Sequence, residues 1–183
     1  MTPTLVLGIG NLLMGDEGVG VHALRAFGDE PWPDHVTLLD GGTGGFHLLE
    51  YLTDFPRLVM VDATMDGAPA GTVSVLTPRY ASDFPRALTA HDIGLRDLIE
   101  SAALLGPLPD VTLVTVSIEE IRSMVTDLSP AVAGAIPEVG RRVRAALAAP
   151  LHPAPSTPHL HPAPLHPAPV LESPCASRFP ARS

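Results

Sequence analysis

Apolar residues run without a break through Thr4–Ile9 (TLVLGI), and Gly10-Asn11 then interrupts them. A short apolar run closed by turn residues suits a strand buried on both faces, as in the middle of a parallel sheet. Arg57–Ala63 (RLVMVDA) and Val111–Ile118 (VTLVTVSI) read the same way. His35–Asp40 (HVTLLD) is a further strand, closed by the Gly41–Gly45 loop, and Gly71–Thr77 (GTVSVLT) alternates through Val73 and Val75 between glycine and proline. Helical spacing lies between these runs. Residues 16–27 carry a loosely helical apolar face of Val19, Val21, Ala23, Leu24 and Phe27. Phe46–Leu52 predicts a short helix, and Asp92–Leu105 a longer one with Ile93, Leu95, Leu98, Ile99 and Ala102 apolar. Ser129-Pro130 supplies an N-cap and a first-turn proline for a last helix running to about Ala149.

The order β-α-β-α-β-β-α-β-α predicts an α/β fold: a three-layer α/β/α sandwich on a twisted, mostly parallel five-stranded sheet. The join between the third and fourth strands holds only Asp66-Gly67 and Pro69 as turn signals and is short, so the fourth strand is expected to run antiparallel at an edge. Ligands on such sheets bind at the carboxyl ends of the strands, which narrows where chemistry is to be sought.

A length of 183 residues gives one domain, and 45% hydrophobic residues exclude a chain disordered throughout. No run of 18 apolar residues suggests a membrane span, and the opening MTPTLVLGIG lacks the basic and long apolar regions of a signal peptide. The single cysteine, Cys175, excludes a disulfide framework or a cysteine-ligated metal, and a cytoplasmic protein is expected. The net charge is −9 and all eleven basic residues are arginine, which argues against nucleic acid as a partner. All 16 glycines precede residue 150, whereas ten of the 21 prolines lie from Pro150 onward. Three His-Pro-Ala-Pro copies start at His152, His161 and His166. The domain is therefore expected over residues 1–149, with 150–183 a disordered Pro/Ala/His-rich tail. Histidine-rich tracts can bind nickel or zinc, although compositional drift is the better reading of this one.

Four acids fall where strands end. Asp16 and Glu17 follow the first strand across a glycine-containing turn, Asp40 ends the second and Asp62 lies at the end of the third. His91, just before the third helix, is within reach of the same edge. Carboxylates converging on one crevice repel unless a cation or protons are present. Together with an imidazole they suit nickel, zinc, iron or manganese. Each also has a plain structural reading: Glu17 complements a helix dipole, Asp40 holds the glycine loop, Asp62 caps a turn in DATMDG, and His91 sits on the surface beside a helix cap.

Other chemistries lose ground. Gly8-Ile9-Gly10 opens like a dinucleotide fingerprint, but Leu13 stands where the third glycine belongs. A Walker lysine and a G-x-S-x-G elbow are both missing, and Cys175 lies in the tail. A small nucleotide-binding or nucleosidase-like enzyme, and a non-enzymatic nickel carrier, stand as the alternatives.

GIGNLLMGDEGVGV at Gly8–Val21, LDGGTGG at Leu39–Gly45, VDA at Val61–Ala63 and HDIGL at His91–Leu95 resemble the hydrogenase maturation proteases. The likeness covers residues 4 to about 148. It implies an endopeptidase that removes the C-terminal extension from the nickel-loaded precursor of a [NiFe] hydrogenase large subunit. By the same resemblance Glu17, Asp62 and His91 are the metal positions, with nickel brought by the precursor and no organic cofactor. Asp16, Asp40 and Asp62 are all candidates for a general base. Gly41, Gly42, Thr43 and Gly44 are expected to let the substrate backbone approach, or else form a plain strand-to-helix turn. The enzyme is expected to be a monomer, and whether it is of aspartic or metallo type stays open.

Overall fold

A computed structural model describes residues 1–78, 83, 95–106 and 108–152. The strands are β1 (Thr4–Gly8), β2 (Val36–Asp40), β3 (Arg57–Thr64), β4 (Val73–Leu76) and β5 (Asp110–Ser117). The helices are α1 (Val19–Phe27), α2 (Leu49–Asp54), α3 (Leu95–Leu105) and α4 (Pro130–Ala148). The sheet order is β2-β1-β3-β5-β4. All neighbours are parallel except β4, which runs antiparallel to β5 at the edge, as the short β3–β4 join predicts.

Side chains alternate across the sheet, and each face has its own core. Val6, Val59, Val61, Val114 and Val116 face α1 and α4, where Val19, Ala23, Phe27, Val132, Val139 and Val143 meet them. Leu5, Leu7, Leu58, Met60 and Leu113 face the other way, against Leu48 and Leu52 beside and within α2 and Leu98, Ile99 and Ala102 of α3. The three central strands are buried on both sides, which is why they read as continuous apolar runs rather than alternating ones.

Two helix starts differ from the pattern. The helix expected from residue 16 begins as a 3-10 turn, Gly15–Gly18, and becomes α-helical only at Val19. Gly15 is left-handed at φ +61, and the Asp16 carboxylate is bonded elsewhere, so the α-helix starts later. Likewise a 3-10 turn, Phe46–Leu48, precedes α2 after Gly45 at φ +118. Ser129 is the N-cap of α4, its hydroxyl accepting from the Val132 N–H at 3.4 Å. At the other end of α4, buried Arg57 donates to the carbonyls of Ala146, Leu147 and Ala149. His152, the first histidine of the expected tail, packs on Asp110 at the start of β5, with Nδ1 2.9 Å from Oδ1. His91 and residues 153–183, Cys175 among them, lie outside the described residues.

Candidate active site

The glycines between residues 8 and 20 are mostly contact points rather than hinges. A Cβ on Gly20 would lie 2.2 Å from the Ile9 carbonyl oxygen and 2.4 Å from that of Val61. One on Gly8 would lie 2.3 Å from the Gly20 oxygen, and one on Gly10 2.2 Å from the Glu17 oxygen. All of these neighbours are backbone atoms, so α1 and the turn before it lie directly on the carboxyl ends of β1 and β3. Only hydrogen at these positions permits that approach.

The close approach carries Glu17 to Asp62. Glu17 is buried and accepts a hydrogen bond from the Asn11 N–H. Asp62 is half-buried and accepts from the Ala63 N–H at 2.8 Å. Burial pushes the Asp62 carboxyl up to about 8; the Ala63 bond opposes this, and the negative charge of Glu17 adds to it. Asp62 does not end its strand, because β3 continues to Thr64 with Asp62 opposite Thr115 of β5, and Glu17 sits in the 3-10 turn before α1; the two acids nonetheless interact electrostatically. A carboxyl with a pKa near neutral, set by desolvation and a neighbouring charge near the carboxyl end of a strand, marks a functional-site candidate. Among the described residues no group of three or more His, Cys, Asp or Glu is arranged to hold a metal ion.

Asp40 and Asp16 do other things. Gly8 of β1 pairs with Asp40 on one side and Val61 on the other, so Asp40 and Asp62 flank the end of the same strand. The Asp40 carboxylate accepts from the Gly42 N–H at 2.9 Å and lies 3.6 Å from Arg25. It therefore holds the glycine loop, as its structural reading requires. That loop is tied to β1 by Gly41 N–H to the Gly8 carbonyl and Gly10 N–H to that of Gly42, both 2.8 Å. Gly42 and Gly44, at φ +54 and +77, flank Thr43. The turn in DATMDG is made by Asp66, which accepts from Ala68 N–H at 3.0 Å, and not by Asp62.

Asp16 is buried and faces away from this pair, toward the α4 entry. Its Oδ1 accepts from the Ser129 N–H at 2.6 Å and lies 3.8 Å from the Arg122 guanidinium. Sequence reasoning misses Arg122, a lone arginine in a loop. It reads Ser129 as a cap but has no signal for a partner 113 residues away. Asp16→Ala leaves the Ser129 N–H without its acceptor, and a loss of about 1–3 kcal/mol is expected in urea unfolding. Asp16→Asn keeps an acceptor oxygen and should recover most of it.

Comparison with known proteins identifies the family. Residues 21–146 match the family model described as hydrogenase maturation protease. The hydrogenase expression/formation protein HupD of Bradyrhizobium diazoefficiens is 40% identical over 110 residues, 57% of this chain and 56% of that protein's length. The hydrogenase 2 maturation protease of Escherichia coli is 34% identical over 147 residues, covering 78% of this chain and 89% of that one. The solved structure of the hydrogenase maturating endopeptidase HybD from E. coli superposes with a TM-score of 0.71 at 33% identity, over 79% of this chain and 91% of that chain. The chain belongs to the hydrogenase maturation protease family, a family of endopeptidases on this α/β fold.

Proposed function

We propose that this chain removes the C-terminal extension from the precursor of a [NiFe] hydrogenase large subunit after nickel has been inserted. The observation that carries this reading is the Glu17–Asp62 contact at the carboxyl edge of the sheet, with Asp62 pushed up to about 8. In the free protein at neutral pH, Asp62 is largely protonated, so the site does not bear two full negative charges. A divalent ion arriving in the substrate displaces that proton and relieves the repulsion. Nickel is thus the substrate's cargo. Glu17, Asp62 and His91 complete its coordination and fix the cleavage site beside it. An ion held there would supply polarisation of the scissile carbonyl or of a water.

Asp40 lies on the other side of β1 from Asp62 and outside the proposed ligand set, which makes it a candidate base. Asp40→Asn is expected to lose cleavage while keeping precursor binding. Gly41 and Gly42, hydrogen-bonded at the end of β1, together with Thr43 and Gly44 form the loop we assign to the substrate backbone, a reading supported by its lack of bulky side chains. The chemistry needs no organic cofactor. No helix among the described residues is long and apolar enough to cross a membrane. We place the reaction in the cytoplasm, with a monomeric protease.

We also take residues 1–149 as the catalytic unit. A chain ending at His152, which keeps the Asp110 contact, is expected to melt within a few degrees of the full chain. The functional test is incubation with precursor followed by intact mass. A protease yields the large subunit shortened by one C-terminal peptide; a nickel carrier leaves it at full length.

A further inference from the structure

We propose that Leu13 and Met124 form a docking ridge for an apolar segment of the polypeptide substrate beside the scissile bond, an inference that rests on the endopeptidase reading above. The two residues come from loops far apart in sequence. The Met14–Val125 bridge joins those loops, with the Gly15 N–H donating to the Val125 carbonyl at 2.7 Å and the Val125 N–H to that of Leu13 at 3.3 Å. The Ser123 hydroxyl, 3.5 Å from the Met14 sulfur, adds a further link. Leu13 is 51% exposed and Met124 82% exposed, so neither serves the core. A single exposed leucine is ordinary; here two exposed large apolar residues sit on backbone segments that the Met14–Val125 bridge pairs.

Met124 also has φ +60, the left-handed region, and is the one such non-glycine residue among those described. An L-residue is sterically disfavoured there. Methionine is flexible and polarisable, which suits an adaptable contact.

The ridge loop and Glu17 are one hydrogen-bonded unit. Asn11 donates its N–H to Glu17, its side-chain oxygen accepts from Leu13 N–H at 3.0 Å, and its carbonyl accepts from Met14 N–H at 2.9 Å. From below, Arg122 packs beside Gly15 and Asp16. The loop that carries Leu13 is thus anchored directly to Glu17, and a polypeptide bound at Glu17 has this apolar pair as a neighbouring contact. A second copy of the chain is a poorer occupant, because two molecules each of net charge −9 would be brought together.

The test compares wild type with Leu13→Ser, Met124→Ser and the double variant. Affinity for intact nickel-loaded precursor and the steady-state constants for its cleavage are measured. The double variant is expected to weaken precursor binding and raise KM by about tenfold or more, with kcat within about twofold. Its melting temperature and its binding of nickel chloride should stay at wild-type values. Unchanged precursor affinity in the folded double variant overturns the ridge. So does a variant that melts lower and loses nickel binding, which would make the pair structural. Concentration-dependent dimerisation of the wild type, abolished by the double variant, would assign the ridge to self-association instead. Should the wild type bind precursor but leave it at full length, the endopeptidase reading falls, and the binding comparison still judges the ridge. Met124→Gly, which permits φ +60, is expected to keep or raise the melting temperature while losing the same affinity.

Discussion

Asp62→Asn is expected to abolish precursor cleavage, by on the order of 10³-fold or more, in a protein whose fold is intact. The amide keeps the oxygen that accepts from Ala63, so the local backbone keeps its partner. What disappears is the charge that would meet nickel. The same substitution has a second signature, in stability. The Asp62 carboxyl titrates at about 8 in the folded chain, against the ordinary aspartate value of 3.8 that holds in the unfolded chain. Between these values the folded state holds a proton that the unfolded state has released. Stability from this group is therefore full below about pH 4 and falls as pH rises to about 8. Asp62→Asn removes that loss. Metal-free Asp62→Asn should melt several degrees above wild type at about pH 9, and the gap should close toward about pH 4. A variant more stable than wild type and inactive is the mark of a site built for a cation; thermal unfolding across that pH range checks it. Glu17→Gln and His91→Ala should also lose cleavage, and double variants should be no worse than singles, if the three groups act as the unit proposed above.

Gly20→Ala is expected to be the most damaging small substitution in the fold. The new methyl would sit 2.2 Å and 2.4 Å from two backbone oxygens, neither of which has a side chain's freedom to move aside. Relief requires α1 to lift from β1 and β3, at a cost of about 3 kcal/mol or more. A fall in melting temperature on the order of 10 °C follows from that cost. Lifting α1 also draws Glu17 away from Asp62, so any folded fraction should bind nickel weakly. Gly134→Ala is the contrast. Gly134 lies exposed in α4 with nothing within 4 Å of where a Cβ would stand, and alanine there should stabilise by about 0.5–1 kcal/mol. Calorimetric melting of the two variants side by side separates a packing glycine from a dispensable one.

The sheet is legible in the sequence because its central strands are buried on both faces and leave unbroken apolar runs. The antiparallel edge is legible because the Thr64–Val73 connection is too short for a helical crossover. The start of α1 is not. The residues from Asp16 onward scan as helix, but Gly15 and the bond from Asp16 to Ser129 hold the first turn in 3-10 form. The site shows the same division. Acids at the expected strand ends point to Glu17 and Asp62, since topology alone brings strand ends to one edge. Asp16, adjacent in sequence to Glu17, looks like its equal and instead fastens α4. Only three-dimensional packing separates the two, because successive residues of a tight turn point different ways. The glycines are visible as a motif, while the reason for Gly8, Gly10 and Gly20, backbone carbonyls within 2.4 Å of their missing methyls, is a tertiary fact. Arg122, Leu13 and Met124 give no local signal, because each acts through a loop-to-loop pairing that leaves no periodicity.

The proposed nickel dependence of cleavage, with Glu17, Asp62 and His91 assigned to complete the ion's coordination, is open to direct measurement. Its most direct measurement is the rate of precursor shortening, read by intact mass, for one precursor preparation divided into nickel-loaded and nickel-free portions. The account predicts quantitative loss of the C-terminal peptide from the loaded portion and none from the nickel-free portion over the same time. Equal trimming of both portions, or trimming of the loaded portion by Asp62→Asn at the wild-type rate, would contradict it.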